Sequence, residues 1–250
     1  MEYKRFAGLL ALCSLLPAGT AQGPTRGARP DYRDPALPTA RRVEDLLSRM
    51  TLEEKVAQML TIWNAKRQIT DARGRFDPAR APEWFRVGIG RIERPSDGHG
   101  ARAQAEFTNA VQRWVKENTR LGIPVIFHEE ALHGLQGAEA TSFPQAIALA
   151  STWNPDLVER VFAAVAREVR ARGAQQVLAP VVDVARDPRW GRFEETYGED
   201  PYLVARLGLA AVRGLQGGGR TVPADRVIAT LTVRKGQTGQ VVKLDTDLAR

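Results

Sequence analysis

An apolar run, Gln176-Val177-Leu178-Ala179-Pro180-Val181-Val182-Asp183-Val184, leads into the polar segment Asp187-Pro188-Arg189-Trp190-Gly191-Arg192. Branched apolar residues over this length are typical of a buried strand. The strand is therefore predicted to deliver the polar segment to one edge of a sheet. There, Trp190 offers an apolar platform and the arginines offer planar forks of donors, a combination suited to hydroxyl-rich ligands. The alternative is a solvated turn held by ion pairs, since surface charge clusters are common.

A second polar segment follows a second predicted strand. The run Ile123-Pro124-Val125-Ile126-Phe127 continues into His128-Glu129-Glu130-Ala131-Leu132-His133-Gly134. Helical patterns with one apolar face are predicted between the strands, over residues 103–118, 155–172 and 201–215. Strand-helix alternation indicates parallel β/α units. Polar loops that follow strands are typical of the active-site end of a (β/α)8 barrel.

The sequence accounts for only about the first half of such an α/β fold of the (β/α)8 TIM-barrel type. Strands are predicted over residues 87–92, 124–127, 177–184 and 227–231, and helices over residues 43–50 and 52–61 precede them. Half a barrel leaves strand edges unpaired and the inner faces of its strands uncovered. We therefore expect the isolated chain to be poorly stable or to associate through its edge strands.

Several motifs in consistent order resemble glycoside hydrolase family 3, in its β-xylosidase and β-glucosidase branch. Besides the two polar segments, they are Ala140-Thr141-Ser142-Phe143-Pro144-Gln145 and Ala150-Ser151-Thr152-Trp153-Asn154. The likeness begins near Arg42 and continues to about Leu231, with a looser patch between Asn64 and Gly98, so residues 41–231 are predicted to form the family's N-terminal domain. The resemblance implies a retaining, exo-acting β-glycosidase that hydrolyses O-glycosyl bonds of β-linked xylo- or gluco-oligosaccharides, without a metal or organic cofactor.

The resemblance also implies two substrate-binding residues. Glu130 occupies the position of the family's sugar-binding carboxylate, and Arg192 that of an arginine which donates to the same sugar. A carboxylate can accept hydrogen bonds from two sugar hydroxyls. His133 is either a structural hydrogen-bonding residue or a ligand contact. His128 and His133 are five residues apart, about 140° around a helix, which argues against a helical zinc motif.

No catalytic residue is assigned. The resemblance implies an aspartate nucleophile in a Ser-Asp-Trp context and a general acid from a loop or following domain. After Trp190 the aspartates are Asp200, Asp225, Asp245 and Asp247, none in that context. Neighbouring acids such as Glu194 and Glu195 rarely provide the separation of about 5 to 5.5 Å that the retaining reaction needs. We therefore expect an inactive N-terminal fragment of the enzyme; the alternative function is non-catalytic carbohydrate binding.

The two ends of the chain differ in composition from its middle. Lys4 and Arg5 precede an apolar run too short to span a bilayer, so residues 1–21 are predicted to be a signal peptide, with export to the periplasm or the exterior. The only cysteine, Cys13, lies within it. Residues 22–40, rich in proline, are predicted to be a linker, and residues 232–250 an atypical tail in which Thr232-Val233 replace the family's Lys-His pair.

The distribution of charged residues argues against some classes of binding partner. The 250-residue chain carries a formal net charge of +7, but basic and acidic residues alternate and no run of Lys or Arg exceeds two. A nucleic-acid partner is therefore not expected. Neither is membrane attachment once the signal peptide is removed, and the oligomeric state is left open.

Overall fold

The computed structural model describes residues 30–233, which divide after Arg49 into two compact units. The predicted signal peptide, the first part of the linker and nearly all of the predicted tail lie outside the described residues. In the first unit, a 3-10 helix, Asp31–Arg33, precedes α1, Thr39–Arg49. The Asp45 carboxylate accepts a hydrogen bond from the backbone N–H of Tyr32 at 3.0 Å. Helix α1 thus begins inside the predicted linker.

The second unit is an α/β structure. Its strands are β1 (Thr61–Ile62), β2 (Arg91–Glu93), β3 (Ile126–Glu129), β4 (Gln176–Val177) and β5 (Ile228–Ala229). Its helices are α2 (Leu52–Ala57), α3 (Ala81–Phe85), α4 (Ala101–Asn118), α5 (Ala146–Ala150), α6 (Pro155–Ala171) and α7 (Pro201–Gln216). Short 3-10 helices cover Asn64–Ile69 and Phe193–Glu195. Among the described residues, no helix combines the length and apolarity that crossing a bilayer requires.

All five strands belong to one parallel sheet with the sequential order β1-β2-β3-β4-β5. Sequential parallel strands joined by helical connections are the arrangement of a (β/α)8 barrel. The predicted fold class, a partial barrel, is therefore confirmed. Within the described residues, β1 and β5 each pair on one side only, so both edges of the sheet are open.

One helix prediction and one strand prediction were wrong in detail. Residues 52–61 were predicted to be one helix, but α2 ends at Ala57 and β1 follows at Thr61–Ile62. The apolar residues before β1 continue the helical spacing, and no proline or glycine separates the two elements. The strand predicted over residues 177–184 is only Gln176–Val177, because Pro180 has no N–H to extend the ladder. A single bridge, Val181 to Thr232, resumes the pairing.

The two faces of the sheet carry different side chains. One face packs on helices: the rings of Phe127 and Phe107 of α4 meet edge to face at 6.3 Å, and Phe127 is fully buried. We call it the helix-covered face. Register pairs Glu93 with His128 and His128 with Gln176, so these polar side chains share the opposite, open face.

Helices α6 and α7 pack against each other at a glycine. A Cβ at Gly214 would lie 2.4 Å from the Glu159 carbonyl oxygen and 2.8 Å from Phe162 Cβ. Only glycine permits this approach. Pro155 and Pro201 occupy the first turns of the two helices, where the missing N–H costs nothing. Asp200 caps α7 through the backbone N–H of Tyr202 at 2.7 Å.

Candidate functional site

Glu130 lies immediately after β3, at the carboxyl end of the central strand of the sheet. Its side chain is half-buried. Burial raises the pKa of the Glu130 carboxyl, and the positive charges of Arg94 and Arg192 oppose that rise. A partly desolvated carboxylate at an open strand end is suited to accept hydrogen bonds from a polar ligand.

Glu129, the preceding residue, faces the helices instead. Its carboxylate accepts hydrogen bonds from the Ser96 backbone N–H at 2.9 Å, from Ser96 Oγ at 2.8 Å and from Gln104 Nε2 at 2.8 Å. Burial nevertheless raises the pKa of Glu129 to about 7. The Glu129 carboxylate therefore links the loop after β2 and helix α4 through hydrogen bonds to both. Because the Glu129 carboxylate is bonded to Ser96 and Gln104 on the helix-covered face, it is not available to pair with Glu130 around one ligand.

Arg192 immediately precedes the 3-10 helix Phe193–Glu195, which turns Glu195 back toward it. Arg192 Nε lies 2.7 Å from Glu195 Oε1 and 2.8 Å from Glu195 Oε2, and Nη2 contacts the same carboxylate. These bonds raise the pKa of Arg192 and fix the plane of its guanidinium. The side chain remains 32% exposed, so part of the guanidinium still faces solvent.

The rest of the Trp190 segment has the ion-paired character of a surface turn. Arg189 Nη2 lies 2.7 Å from Asp187 Oδ2, and the two side chains are 89% and 43% exposed. Trp190 is half-buried, while Glu194 is exposed. The segment therefore combines an exposed ion pair of the kind expected of a solvated turn with an anchored Arg192.

The structure brings Glu130 and Arg192 into one charge cluster. The charge of each affects the pKa of the other, and Glu195 acts on both. Asp183, which is buried, also raises the pKa of Arg192. Neither Asp183 nor Arg94 was predicted from the sequence to belong to the site. The signal for Asp183 was an acid within an apolar strand run, since buried charges are costly unless paired; Arg94 lies in the weakly matching patch and gave no signal.

The two histidines of the second segment lie in different surroundings. His128 is buried on the open face, where burial, with the charges of Arg91 and Lys66, lowers its pKa to about 4. Its Nδ1 has no hydrogen-bond partner among residues 30–233. The His133 carbonyl accepts a hydrogen bond from the Phe143 N–H at 2.8 Å, but its ring forms none within the described residues.

Gly134 is the last residue of the polar segment that begins at His128, and its position requires glycine for a steric reason. Its φ is +107°, and a Cβ there would lie 2.1 Å from the Thr141 carbonyl oxygen. Glycine is required where the backbone adopts this conformation and another chain segment approaches so closely. The loop after β3 is thereby held against the segment that carries Thr141. Across the part of the chain described, no three His, Cys, Asp or Glu side chains are grouped so that they could hold a metal ion.

The fold and the polar strand ends define the class: the first part of a (β/α)8-barrel protein with a polar site at the carboxyl ends of its strands. Residues 51–235 match the model of the glycosyl hydrolase family 3 N-terminal domain. The chain therefore belongs to glycosyl hydrolase family 3, as its motifs predicted.

Named relatives and a solved structure agree with this family. A β-xylosidase from Formosa agariphila is 49% identical over 120 residues, which are 45% of this chain and 17% of that protein. A periplasmic β-glucosidase/β-xylosidase from Dickeya chrysanthemi is 34% identical over 209 residues, covering 79% of this chain and 32% of that protein. The structure of a β-glucosidase from Erythrobacter marinus superposes with a TM-score of 0.73 at 41% identity, covering 81% of this chain and 26% of that one. The chain thus spans a third or less of each of these proteins.

Proposed function

We propose that this chain carries the sugar-binding part of an exported, retaining β-glycosidase that acts on O-glycosyl bonds of β-linked xylosides or glucosides. Glu130 and Arg192 bind the terminal sugar in this proposal. The observation that supports it best is their shared charge cluster at the carboxyl end of β3, where a barrel builds its active site. The names of the relatives, β-xylosidase and β-glucosidase, support the substrate class.

The two residues have complementary chemistry. The Glu130 carboxylate would accept hydrogen bonds from two vicinal hydroxyls, and Arg192 would donate to a hydroxyl oxygen of the same ring. Glu195 holds the guanidinium in place before the sugar arrives, which reduces the ordering cost of binding. Hydrogen bonds to charged groups contribute about 1.5–3 kcal/mol each, so each residue should affect affinity measurably.

Bond cleavage is not assigned to any of these residues. Glu129 faces the helices, Glu195 is engaged by Arg192, and Asp200 caps α7. Because none of them pairs with Glu130 across a common ligand, we expect the 250-residue chain to bind sugar without hydrolysing it. Assays with nitrophenyl β-xyloside and β-glucoside should give no turnover above buffer. Turnover abolished by a single carboxylate substitution would contradict this expectation.

Sugar binding is tested by NMR titration of methyl β-xyloside and methyl β-glucoside into the wild-type chain and variants. Glu130→Gln should weaken binding at least tenfold, because an amide cannot replace a carboxylate as double acceptor. Glu194→Gln is the matched control, because it removes the charge of an exposed acid in the segment that carries Arg192, and it should bind as the wild type does. Equal binding by wild type and Glu130→Gln would refute the assignment of Glu130.

Export is part of the same proposal. It is supported by the predicted signal at residues 1–21, which lies outside the described residues, and by the periplasmic relative from Dickeya chrysanthemi. Expression in a Gram-negative host followed by N-terminal sequencing of the periplasmic fraction should find a chain that begins near Gln22. A product that keeps Met1 and stays in the cytoplasm would contradict export.

A further inference from the structure

A pocket lies at the carboxyl ends of β1 and β2, on the side of β2 away from β3 and Glu130. Its volume is about 380 Å³, within the range of roughly 300–1,000 Å³ that is usual for small-molecule sites. The residues that define its chemistry are Trp63, Lys66, Arg67, Arg73, Asp97 and His99. None of them is used by the sugar site proposed above.

The frame of the pocket is well braced. Asp71 Oδ1 accepts hydrogen bonds from the backbone N–H groups of Arg73 at 2.8 Å and Arg75 at 2.9 Å, which closes a tight turn with Arg73 at its tip. The His99 ring links this turn to the loop after β2: its nitrogens lie 2.8 Å from the Gly74 carbonyl oxygen and 2.9 Å from that of Pro95. The pocket is therefore formed before any ligand binds.

The charges of the pocket do not balance. Lys66 Nζ is buried and contacts Asp97 Oδ2 at 2.9 Å and the Glu93 carbonyl oxygen at 3.0 Å, so this lysine is neutralised by the only lining carboxylate. Arg67 and Arg73 are both exposed at the mouth. Neither guanidinium has a hydrogen bond or ion pair with another residue in the range 30–233. The guanidinium groups of Arg67 and Arg73 are therefore available to bind a ligand.

The indole ring of Trp63 lines the pocket together with these arginines. Trp63 is 41% exposed, and its Nε1 donates to Asp97 Oδ2 at 3.0 Å, which sets the plane of the indole. The Arg94 guanidinium lies 5.6 Å from the centroid of the Trp63 ring. An indole face suits the apolar face of a sugar ring, and an arginine fork matches a carboxylate in a bidentate manner.

Arg94 also connects this pocket to the sugar site. It lies over Trp63 on one side, and its charge lowers the pKa of Glu130 on the other. Both sites therefore lie at the carboxyl ends of the strands, on neighbouring strands of the sheet.

We propose that this pocket binds an anionic sugar unit, a hexuronic acid, with its ring against Trp63 and its carboxylate between Arg67 and Arg73. The target would then be an acidic glycan rather than a purely neutral one. This proposal goes beyond the sugar site at Glu130 and does not depend on it.

The test compares the wild-type chain with an Arg67→Gln/Arg73→Gln double variant by calorimetric and NMR titration of sodium glucuronate and of its neutral methyl ester. The wild type should bind glucuronate at least tenfold more tightly than the ester, and added salt should reduce the difference. The double variant should lose the preference for the anion. An Arg102→Gln/Arg113→Gln variant, with the same change of net charge on exposed α4 positions, should keep it.

Each outcome decides the proposal. Equal binding of glucuronate and its ester by the wild type, or a preference that survives in the Arg67→Gln/Arg73→Gln variant, would overturn it. Preference for a sugar sulfate over glucuronate in a parallel titration would overturn the uronic acid assignment. Glu130→Gln should leave glucuronate binding unchanged, so failure of the neutral-sugar site and failure of this pocket are separate results.

Discussion

The two faces of the sheet carry different side chains, although each has a buried polar atom without a partner among the described residues, Gln104 Oε1 beside the helix-covered face and His128 Nδ1 on the open face. On the helix-covered face, Phe127 is fully buried and Glu129 accepts three hydrogen bonds. On the open face, His128 Nδ1 and Arg91 Nε are buried without hydrogen-bond partners among the described residues. The difference indicates that the helix-covered face maintains the fold, whereas the open face and its strand ends carry groups that are available to a ligand.

The largest expected effect compares core packing on the two faces. Phe127→Ala should lower the free energy of unfolding by about 3–5 kcal/mol, because it removes a large buried side chain and leaves a cavity. Ile228→Ala is the control on the open face, where the side chain is 42% exposed, and should cost about 0.5 kcal/mol. Urea unfolding measures both. Equal costs would show that the open face is also covered in solution.

The next effect concerns the pH dependence of stability. Glu129 has its pKa raised by burial to about 7, so the stability it contributes is present below its ordinary pKa and is lost as pH rises through 7. His128 has its pKa lowered to about 4, so its contribution is present above its ordinary pKa and is lost as pH falls through 4. Between about pH 4 and pH 7, the contributions of Glu129 and His128 to stability therefore change in opposite directions as the pH rises.

Glu129→Gln should therefore reveal the contribution of His128 to the pH dependence of stability. The wild type should change little in stability between about pH 5 and 6, whereas the variant should gain stability with rising pH by about 1 kcal/mol per pH unit. Urea unfolding at a series of pH values checks the prediction. Parallel profiles for wild type and variant would mean that Glu129 is ionised in the folded protein throughout this range.

The smallest effect concerns a polar group within the core. The Tyr197 side chain is buried, burial raises its pKa, and its hydroxyl has no hydrogen-bond partner within the described residues. Tyr197→Phe should therefore leave the free energy of unfolding unchanged or raise it by up to about 1 kcal/mol. The exposed Tyr202→Phe serves as the control and should have no effect. A loss of stability in Tyr197→Phe alone would reveal a bonding partner for the hydroxyl.

Local pattern predicted the long helices well. Helices α4, α6 and α7 begin and end within two residues of their predicted limits, because an apolar face repeated over four turns or more is hard to mistake. The strands were less predictable. Strand β1 is two residues long, and so short a run lacks a period of its own. The family motifs predicted a partial barrel and its polar edge because each polar segment directly follows an apolar run.

The sequence by itself determined the family and the parallel α/β class, since these depend on ordered motifs and local periodicity. It also singled out Glu130 and Arg192 as predicted sugar-binding residues. Only the tertiary structure decided that the Glu129 carboxylate is bonded to Ser96 and Gln104, and that Glu195 anchors Arg192. It alone placed Trp63, Arg73 and Asp97 around one pocket. These groups lie in a stretch with few recognisable motifs, and contacts between residues so far apart depend on how the strands align, which no local pattern encodes.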